Sequence, residues 1–299
     1  MQATHLQTAR SVGHSPKPAD VDLQDWVGRQ TKERGCVPET VARTIHATLA
    51  GSDERCPGVG DPLPALWHWY AFPPAVGMDD LAEDGHPALG GFLPPVPYER
   101  RMWASGKFEF FGDLYVDEDI EKRSTIVSVD QKTGSSGGMV FVVVEHELYG
   151  RDGLAIKESQ SIVYLPIAPE FVAPPKIAGP DGDFAFDVSQ KVSTALLFRY
   201  SAITFNAHRI HFDLPYAQTV EHYPGLVVHG PLQANLLMAQ ATKWKTRRPD
   251  SFRFRGVHPM FHDCDIQLRA QQTKTNGLEM ATVAGAGHVG MTAHAEWRD

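Results

Sequence analysis

Gly230-Pro-Leu-Gln-Ala-Asn-Leu-Leu-Met-Ala-Gln-Ala-Thr-Lys-Trp244 is the stretch on which the fold depends. Pro231 suits the first turn of a helix, where a missing N–H costs nothing. Leu232, Leu236 and Ala239 form an apolar stripe at helical spacing. From Ser251 to Trp297 the pattern changes to strands: Phe252-Arg-Phe-Arg255 alternates, and Asn276-Gly277 is a strong hairpin signal. Upstream of the helix, a strand is predicted near Val192 to Tyr200, followed by an irregular stretch to Val228.

The same order recurs toward the N-terminus. Asp25 to Gly51 has helical spacing, with Val41, Ile45 and Leu49 on one face. Gly106 to Leu165 reads as strands, with Met139-Val-Phe-Val-Val-Val144 a buried run and Asp152-Gly153 a hairpin turn. Between them, Gly58 to Pro97 is rich in proline, glycine and aromatics, among them Trp67, Trp69, Tyr70, Phe72 and Phe92. That composition favours an ordered, irregular lid over a free linker. Pro166 to Pro180 reads as a connector. No residue-level repeat is visible, but helix-then-meander occurs twice. The expectation is an α+β chain of two units, each an antiparallel sheet wrapped around a central helix. Its parts would be a flexible tail (1–21), a first unit (22–166) carrying the insertion 58–97, a connector (167–189) and a second unit (190–299) holding the chemistry.

A chain of 299 residues, 42% hydrophobic and 21% charged, is long enough to bury a large core. Its net charge of −8 argues against nucleic acid as a partner, since phosphate-backbone binding calls for a basic face. Cys36, Cys56 and Cys264 are an odd count without metal-like spacing, which suggests reduced thiols and a cytoplasmic setting. The longest strongly apolar run, Met139 to Val144, is far too short to cross a bilayer, so no membrane partner is expected. Arg10 and Lys17, with no acid before Asp20, are thin evidence for a transit peptide.

Several motifs fail on context. Gly285-Ala-Gly287-His-Val-Gly290 matches a dinucleotide fingerprint, but that needs a following helix and strand, which the nine remaining residues do not hold. His258-Pro-Met-Phe-His262-Asp-Cys-Asp265 has metal-ligand residue types, yet a His-x-x-x-His pair shares a face only on a helix, and Pro259 disfavours one. Gly134-Ser-Ser-Gly-Gly138 lacks the lysine of a phosphate loop and reads as a flexible turn. Neither a metal nor a cofactor is expected.

Polar groups crowd just before the helix, in Asn206-Ala-His208-Arg209-Ile-His211-Phe-Asp213-Leu-Pro-Tyr216-Ala and Glu221-His-Tyr223-Pro-Gly225-Leu-Val-Val-His229-Gly230. Polar side chains close to a core are either satisfied or useful. The segment resembles the MaoC-like, R-specific enoyl-thioester hydratases and dehydratases, whose signature runs Asp-x-Asn-Pro-x-His with a later His-Gly pair before the central helix. Aligned on His211, Asn206 stands in the aspartate position, His208 in the asparagine position and Arg209 in the proline position. His229-Gly230 matches the His-Gly pair. Pro94-Pro-Val-Pro-Tyr-Glu-Arg-Arg101-Met-Trp103-Ala-Ser-Gly106 resembles the first unit of two-unit members.

The resemblance implies a double hot dog fold and reversible hydration of an enoyl thioester, an acyl-CoA as substrate, and a homo-oligomer, since hot dog units commonly pair. It casts His211 as general acid/base and the Gly230 amide, at a helix start, as donor to the thioester oxygen. Asn206 cannot take up a proton and would orient the water or His211, with Asp213 a candidate for fixing the His211 tautomer. His208, Tyr216, Trp103 and His229 would line the site. Lys243 and Lys245, with Arg247 and Arg248, would meet coenzyme A phosphates. Arg209 or Arg101 would hold the second carboxylate of a dicarboxyl substrate such as mesaconyl-C4-CoA. Two alternatives remain open: a hot dog thioesterase, and a non-catalytic acyl-CoA-binding protein motivated by the missing aspartate.

Overall fold

Ten strands join into one antiparallel sheet in the computed structural model, which describes residues 22–51, 54–134 and 137–298. The tail over 1–21 and the middle of the 134–138 turn lie outside the described residues. The elements are β1 (Gln30–Gly35), α1 (Glu39–Leu49), β2 (Arg100–Phe110), β3 (Ile120–Gly134), β4 (Gly137–Gly150) and β5 (Gly153–Leu165), then β6 (Phe186–Gln190), α2 (Thr194–Thr204), α3 (Leu214–Thr219), α4 (Gly230–Lys245), β7 (Ser251–Gly256), β8 (Ile266–Gln272), β9 (Gly277–Ala284) and β10 (Val289–Glu296). The sheet order is β1-β3-β4-β5-β2-β7-β10-β9-β8-β6.

That order is one motif written twice. Read inward from either edge, the strands come first, third, fourth, fifth and second of their half, and the two second strands pair across the middle, Ser105 opposite Arg255 to Glu109 opposite Ser251. Helices follow the first strand in both halves. This is the double hot dog arrangement, α+β in class. Its curved sheet buries β2, β7 and α4 in a common core with Phe108, Phe252, Phe254, Leu232 and Leu237.

The α4 helix covers the expected stretch, with Pro231 in its first turn. The apolar stripe was too narrow a reading. Every residue from Leu232 to Met238 is buried, as is Ala241, whereas Ala239 is exposed. A helix enclosed by the sheet on one side and by other segments on the other buries most of its circumference.

Two other expectations are corrected. The helix expected over Asp25 to Gly51 is confined to Glu39–Leu49, and Gln30–Gly35 is instead an edge strand paired with β3. Pro38 stands at the N-cap, so the helix begins only after it. Within α1, Ile45 is buried and Val41 and Leu49 pack against the core. The strand expected near Val192 to Tyr200 is helix α2: the Ser193 side chain accepts the Leu196 N–H at 3.2 Å, and Leu197, Tyr200 and Ser201 form its buried face. A side-chain cap here outweighs the strand preference of the apolar residues.

The tempting motifs behave as turns and loops. Gly285 to His288 is the hairpin between β9 and β10, with Gly287 at φ +83°. His262 Nδ1 accepts the Leu226 N–H and Asp265 accepts the Val192 N–H, both structural bonds. The three cysteines are free thiols. Among the described residues no helix is long and apolar enough to cross a membrane. The segment 58–97 is irregular, with 3-10 turns at Trp67–Ala71 and Met78–Asp80, and it packs Trp67 and Tyr70 into the core.

Candidate active site

Helix α2 ends at Phe205, whose left-handed φ of 50° turns the chain toward α4. Asn206 follows, and its side-chain oxygen accepts the His208 N–H at 3.0 Å, a local turn that sets the direction of the next residues. A 3-10 turn over Arg209–His211 then carries His211 inward. Asp213 caps α3 by accepting the Tyr216 N–H.

His211 is buried, and its Nδ1 lies 2.7 Å from the Val227 carbonyl oxygen. A carbonyl only accepts, so Nδ1 carries the proton and Nε2 keeps its lone pair. Burial, then the neighbouring His229 and His208, hold its pKa well below the usual imidazole value. The backbone therefore fixes the tautomer, a role considered above for Asp213. That carboxylate instead takes two hydrogen bonds from Arg209, at 3.0 and 2.8 Å, and α3's cap occupies its other oxygen.

Around His211 stands a column of imidazoles. His229 stacks on it with ring centres 3.6 Å apart, and His208 meets it edge-on at 5.3 Å. His229 is the N-cap residue of α4 and lies 2.9 Å from the Ser201 hydroxyl through Nε2, while its buried Nδ1 has no partner among the described residues. Burial, then His208, pushes the His229 pKa down to about 3. Gly230 opens α4, so its N–H has no acceptor within the helix and carries the positive end of the helix dipole. Trp103 of β2 reaches the same place: its carbonyl oxygen is 4.0 Å from the position a Gly230 Cβ would take.

Several residues at this site lie outside the family signature. Glu221, fully buried, lies 3.2 Å from His208 Nε2 and accepts Arg100 at 3.1 Å, while Arg100 also donates to the Glu221 carbonyl. A buried carboxylate needs such partners. Asp84 and His86, from the irregular segment of the first half, stand with His208 so that their potential ligand atoms lie within 4.8 Å of one another. Their sequence signal was an Asp-Gly-His-Pro run inside the aromatic insertion, which carried no periodicity to mark it.

The structure thus brings His208, His211, His229, Gly230 and Trp103 together, with Asn206 at the turn beside them. Tyr216 is buried beneath the Arg209 guanidinium, 4.0 Å from its ring centre. Arg101 lies near His86 and Tyr164, adding to the charges that depress the His86 pKa. Lys243 and Lys245 lie at the opposite end of α4 and are not part of the cluster. Lys243 pairs with Glu54 at 3.4 Å and Lys245 with Asn276 at 2.8 Å. Arg247 and Arg248 pair with Asp250 and Asp113.

Residues 66–262 match the model of hydroxyacyl-thioester dehydratase type 2. The chain is 40% identical over 255 residues to mesaconyl-C(4)-CoA hydratase of Chloroflexus aurantiacus, covering 85% of this chain and 90% of that one. It is 25% identical over 236 residues to the mitochondrial hydroxyacyl-thioester dehydratase type 2 of Schizosaccharomyces pombe, covering 69% and 77%. Among solved structures it resembles a MaoC-like dehydratase from Phytophthora capsici, with a TM-score of 0.71 at 13% identity over 93% of this chain and 99% of that one. A Mycobacterium tuberculosis protein with a double hot dog fold gives 0.58 at 13% identity over 94% and 98%.

Proposed function

We propose a substrate and a division of labour from one premise: the chain belongs to the hydroxyacyl-thioester dehydratase type 2 family, and is a hydro-lyase that adds water to, or removes it from, an enoyl thioester. His211 is the general acid/base. The observation that carries this role is its geometry, with Nδ1 bound to a carbonyl and Nε2 without a hydrogen-bond partner among the described residues. In hydration, Nε2 takes a proton from water as the oxygen bonds C3, and later returns it to C2. The Gly230 N–H steadies the negative charge that develops on the thioester oxygen. Asn206 acts indirectly, by shaping the turn that presents His208 and His211.

The proposed substrate is an acyl-CoA with a second carboxylate, of the mesaconyl-C4-CoA type. Arg209 is already committed to Asp213, whereas Arg101 makes no ion pair among the described residues and stands beside the lid. Arg101 is therefore the cation for the acyl carboxylate. The first half supplies Arg101 and Trp103 to a site built by the second, whose first strand β6 takes in the end of the expected connector (167–189), in a cytoplasmic homo-oligomer. Lys243 and Lys245, at the far end of α4, remain candidates for the coenzyme phosphates.

Turnover of mesaconyl-C4-CoA and crotonyl-CoA by wild type, Arg101→Met and Arg209→Met tests this. Arg101→Met is expected to cost the dicarboxyl substrate more, by up to about 3 kcal/mol, the size of a charged hydrogen bond. Arg209→Met is expected to lower stability and affect both substrates alike. Equal loss on both substrates with Arg101→Met, or a wild-type preference for crotonyl-CoA, overturns the dicarboxyl assignment. Release of free thiol in place of hydration would overturn the hydro-lyase reading.

A further inference from the structure

Asp84 and His86 belong to the first half of the chain, yet their loop is fitted against the second half's catalytic turn. The Arg209 N–H donates to the Asp84 carbonyl at 2.9 Å and the Arg209 guanidinium to the Glu83 carbonyl at 3.2 Å. Gly85, at φ +90°, passes so close to Ala207 that a Cβ there would collide with the Ala207 carbonyl oxygen. Only glycine suits both the backbone angle and the approach. The loop tip is closed on itself as well, with the Ala82 N–H donating to the His86 carbonyl at 2.8 Å and Leu81 bridging Pro87.

This fit presents one imidazole in a defined state. The Asp84 carboxylate lies 2.7 Å from His86 Nδ1 through one oxygen and accepts the His86 backbone N–H at 2.9 Å through the other. Burial would raise the Asp84 pKa, but the bond from His86 pulls it below the usual carboxylate range, so Asp84 accepts and Nδ1 donates. His86 Nε2 is then left as a hydrogen-bond acceptor on a ring that burial keeps neutral. The ring faces His208 at 4.2 Å, and His208 meets His211 at 5.3 Å, so the lid imidazole stands one ring away from the base. Meanwhile the Asn206 oxygen already serves the backbone turn.

We propose that His86, held by Asp84, is the second acceptor for the attacking water, supplied by the lid of the first half. The proposal rests on the hydration reading above. One water hydrogen goes to His211 Nε2 as the oxygen bonds C3, and the C2–C3 π pair moves toward the thioester oxygen at Gly230. His211 then gives that proton to C2 and the thioester carbonyl re-forms. The other water hydrogen stays on oxygen throughout, donating to His86 Nε2, and ends as the hydrogen of the product hydroxyl.

The test compares His86→Phe with His86→Gln, using full-length protein and either enoyl thioester. Phenylalanine keeps an aromatic face against His208 but accepts no hydrogen bond, whereas the glutamine oxygen accepts one. His86→Phe is expected to lose about 100-fold in kcat with KM little changed and the melting temperature lowered by loss of the bond to Asp84, and His86→Gln to stay within about tenfold of wild type in kcat. His86→Phe as active as wild type overturns the proposal, and so does an equal fall in both variants. Dialysis against a chelator is expected to leave wild-type turnover unchanged. A loss restored by zinc would make Asp84, His86 and His208 a metal site instead, and overturn the acceptor role. Wild type inactive on both thioesters would remove the hydration reading itself, and His86's role with it.

Discussion

Both halves of the molecule bury a glutamate–histidine pair, and only in the second does the imidazole continue into the histidine cluster. In the first half Glu158 holds His68 at 3.0 Å and the Trp69 indole at 3.2 Å, anchoring the irregular segment to β5. Burial would raise the Glu158 pKa, but His68 keeps it below the ordinary value. In the second half Glu221 holds His208, but that ring continues into contacts with His86 and His211, and His211 stacks on His229 at the start of α4. The helices differ in the same sense. Helix α1 has 11 residues with two buried, whereas α4 has 16 with eight buried. A buried acid–imidazole pair is thus not enough. On the proposed reading, chemistry also needs a long enclosed helix that brings an unsatisfied N-terminus to the same place.

The largest effect is expected from His211→Ala, which should cost about 100- to 10,000-fold in kcat while the fold survives, as loss of a general base does. Near-normal turnover by a folded His211→Ala protein would place the chemistry elsewhere. Asn206→Ala should cost less, because it removes a turn bond and no proton carrier. If it is the more damaging change, the amide touches the reaction directly.

Arg100 of β2 pairs with Glu221 across the two halves, and its removal should cost more than that of a solvated lysine. Arg100→Met leaves Glu221 buried without its guanidinium, which should destabilise by about 3–5 kcal/mol. Lys32→Met, which removes an exposed lysine from half-buried Glu121 while Arg34 and Arg123 still hold that carboxylate, should cost under about 1 kcal/mol. Chemical denaturation of both variants measures the difference, and similar midpoints would erase the contrast.

A smaller, graded effect is expected with pH. His86 and His229 are held at about 3 when folded, below the unfolded imidazole value of about 6.5. Between those values the unfolded chain binds more protons than the folded one, so stability falls as pH is lowered. Above about 6.5 neither state is protonated at these rings and the contribution is constant. The slope should approach about 1.4 kcal/mol per pH unit for each such histidine within that window. Replacing His229 by Gln should flatten the slope, and a slope unchanged in that variant would mean that His229 is not a buried neutral ring.

The sequence carried much of this. Periodicity and turn residues over 230–297 marked α4 and the hairpins after it, because those signals act within a few residues. The misread segments are those where a local cue competes with pattern. Ser193 made a helix of an apolar stretch, and Pro38 confined α1 to the residues after it. His211, His229 and Gly230 were legible because they share one short run and a family signature.

What the chain alone determined, then, was that a helix precedes a meander of strands in each half and that His208, His211 and His229 gather ahead of α4, both encoded at short range. Only the tertiary structure decided which carboxylates serve that cluster. Asp213, two residues from His211, turns away to cap α3 and hold Arg209, while Glu221 and the distant Asp84 face the imidazoles through His208 and His86. The reason is geometric. Closeness along a chain does not aim a side chain, whereas pairing β2 against β7 and seating the 81–87 loop on Ala207 and Arg209 brings residues more than a hundred positions apart within a hydrogen bond or ring contact of one another.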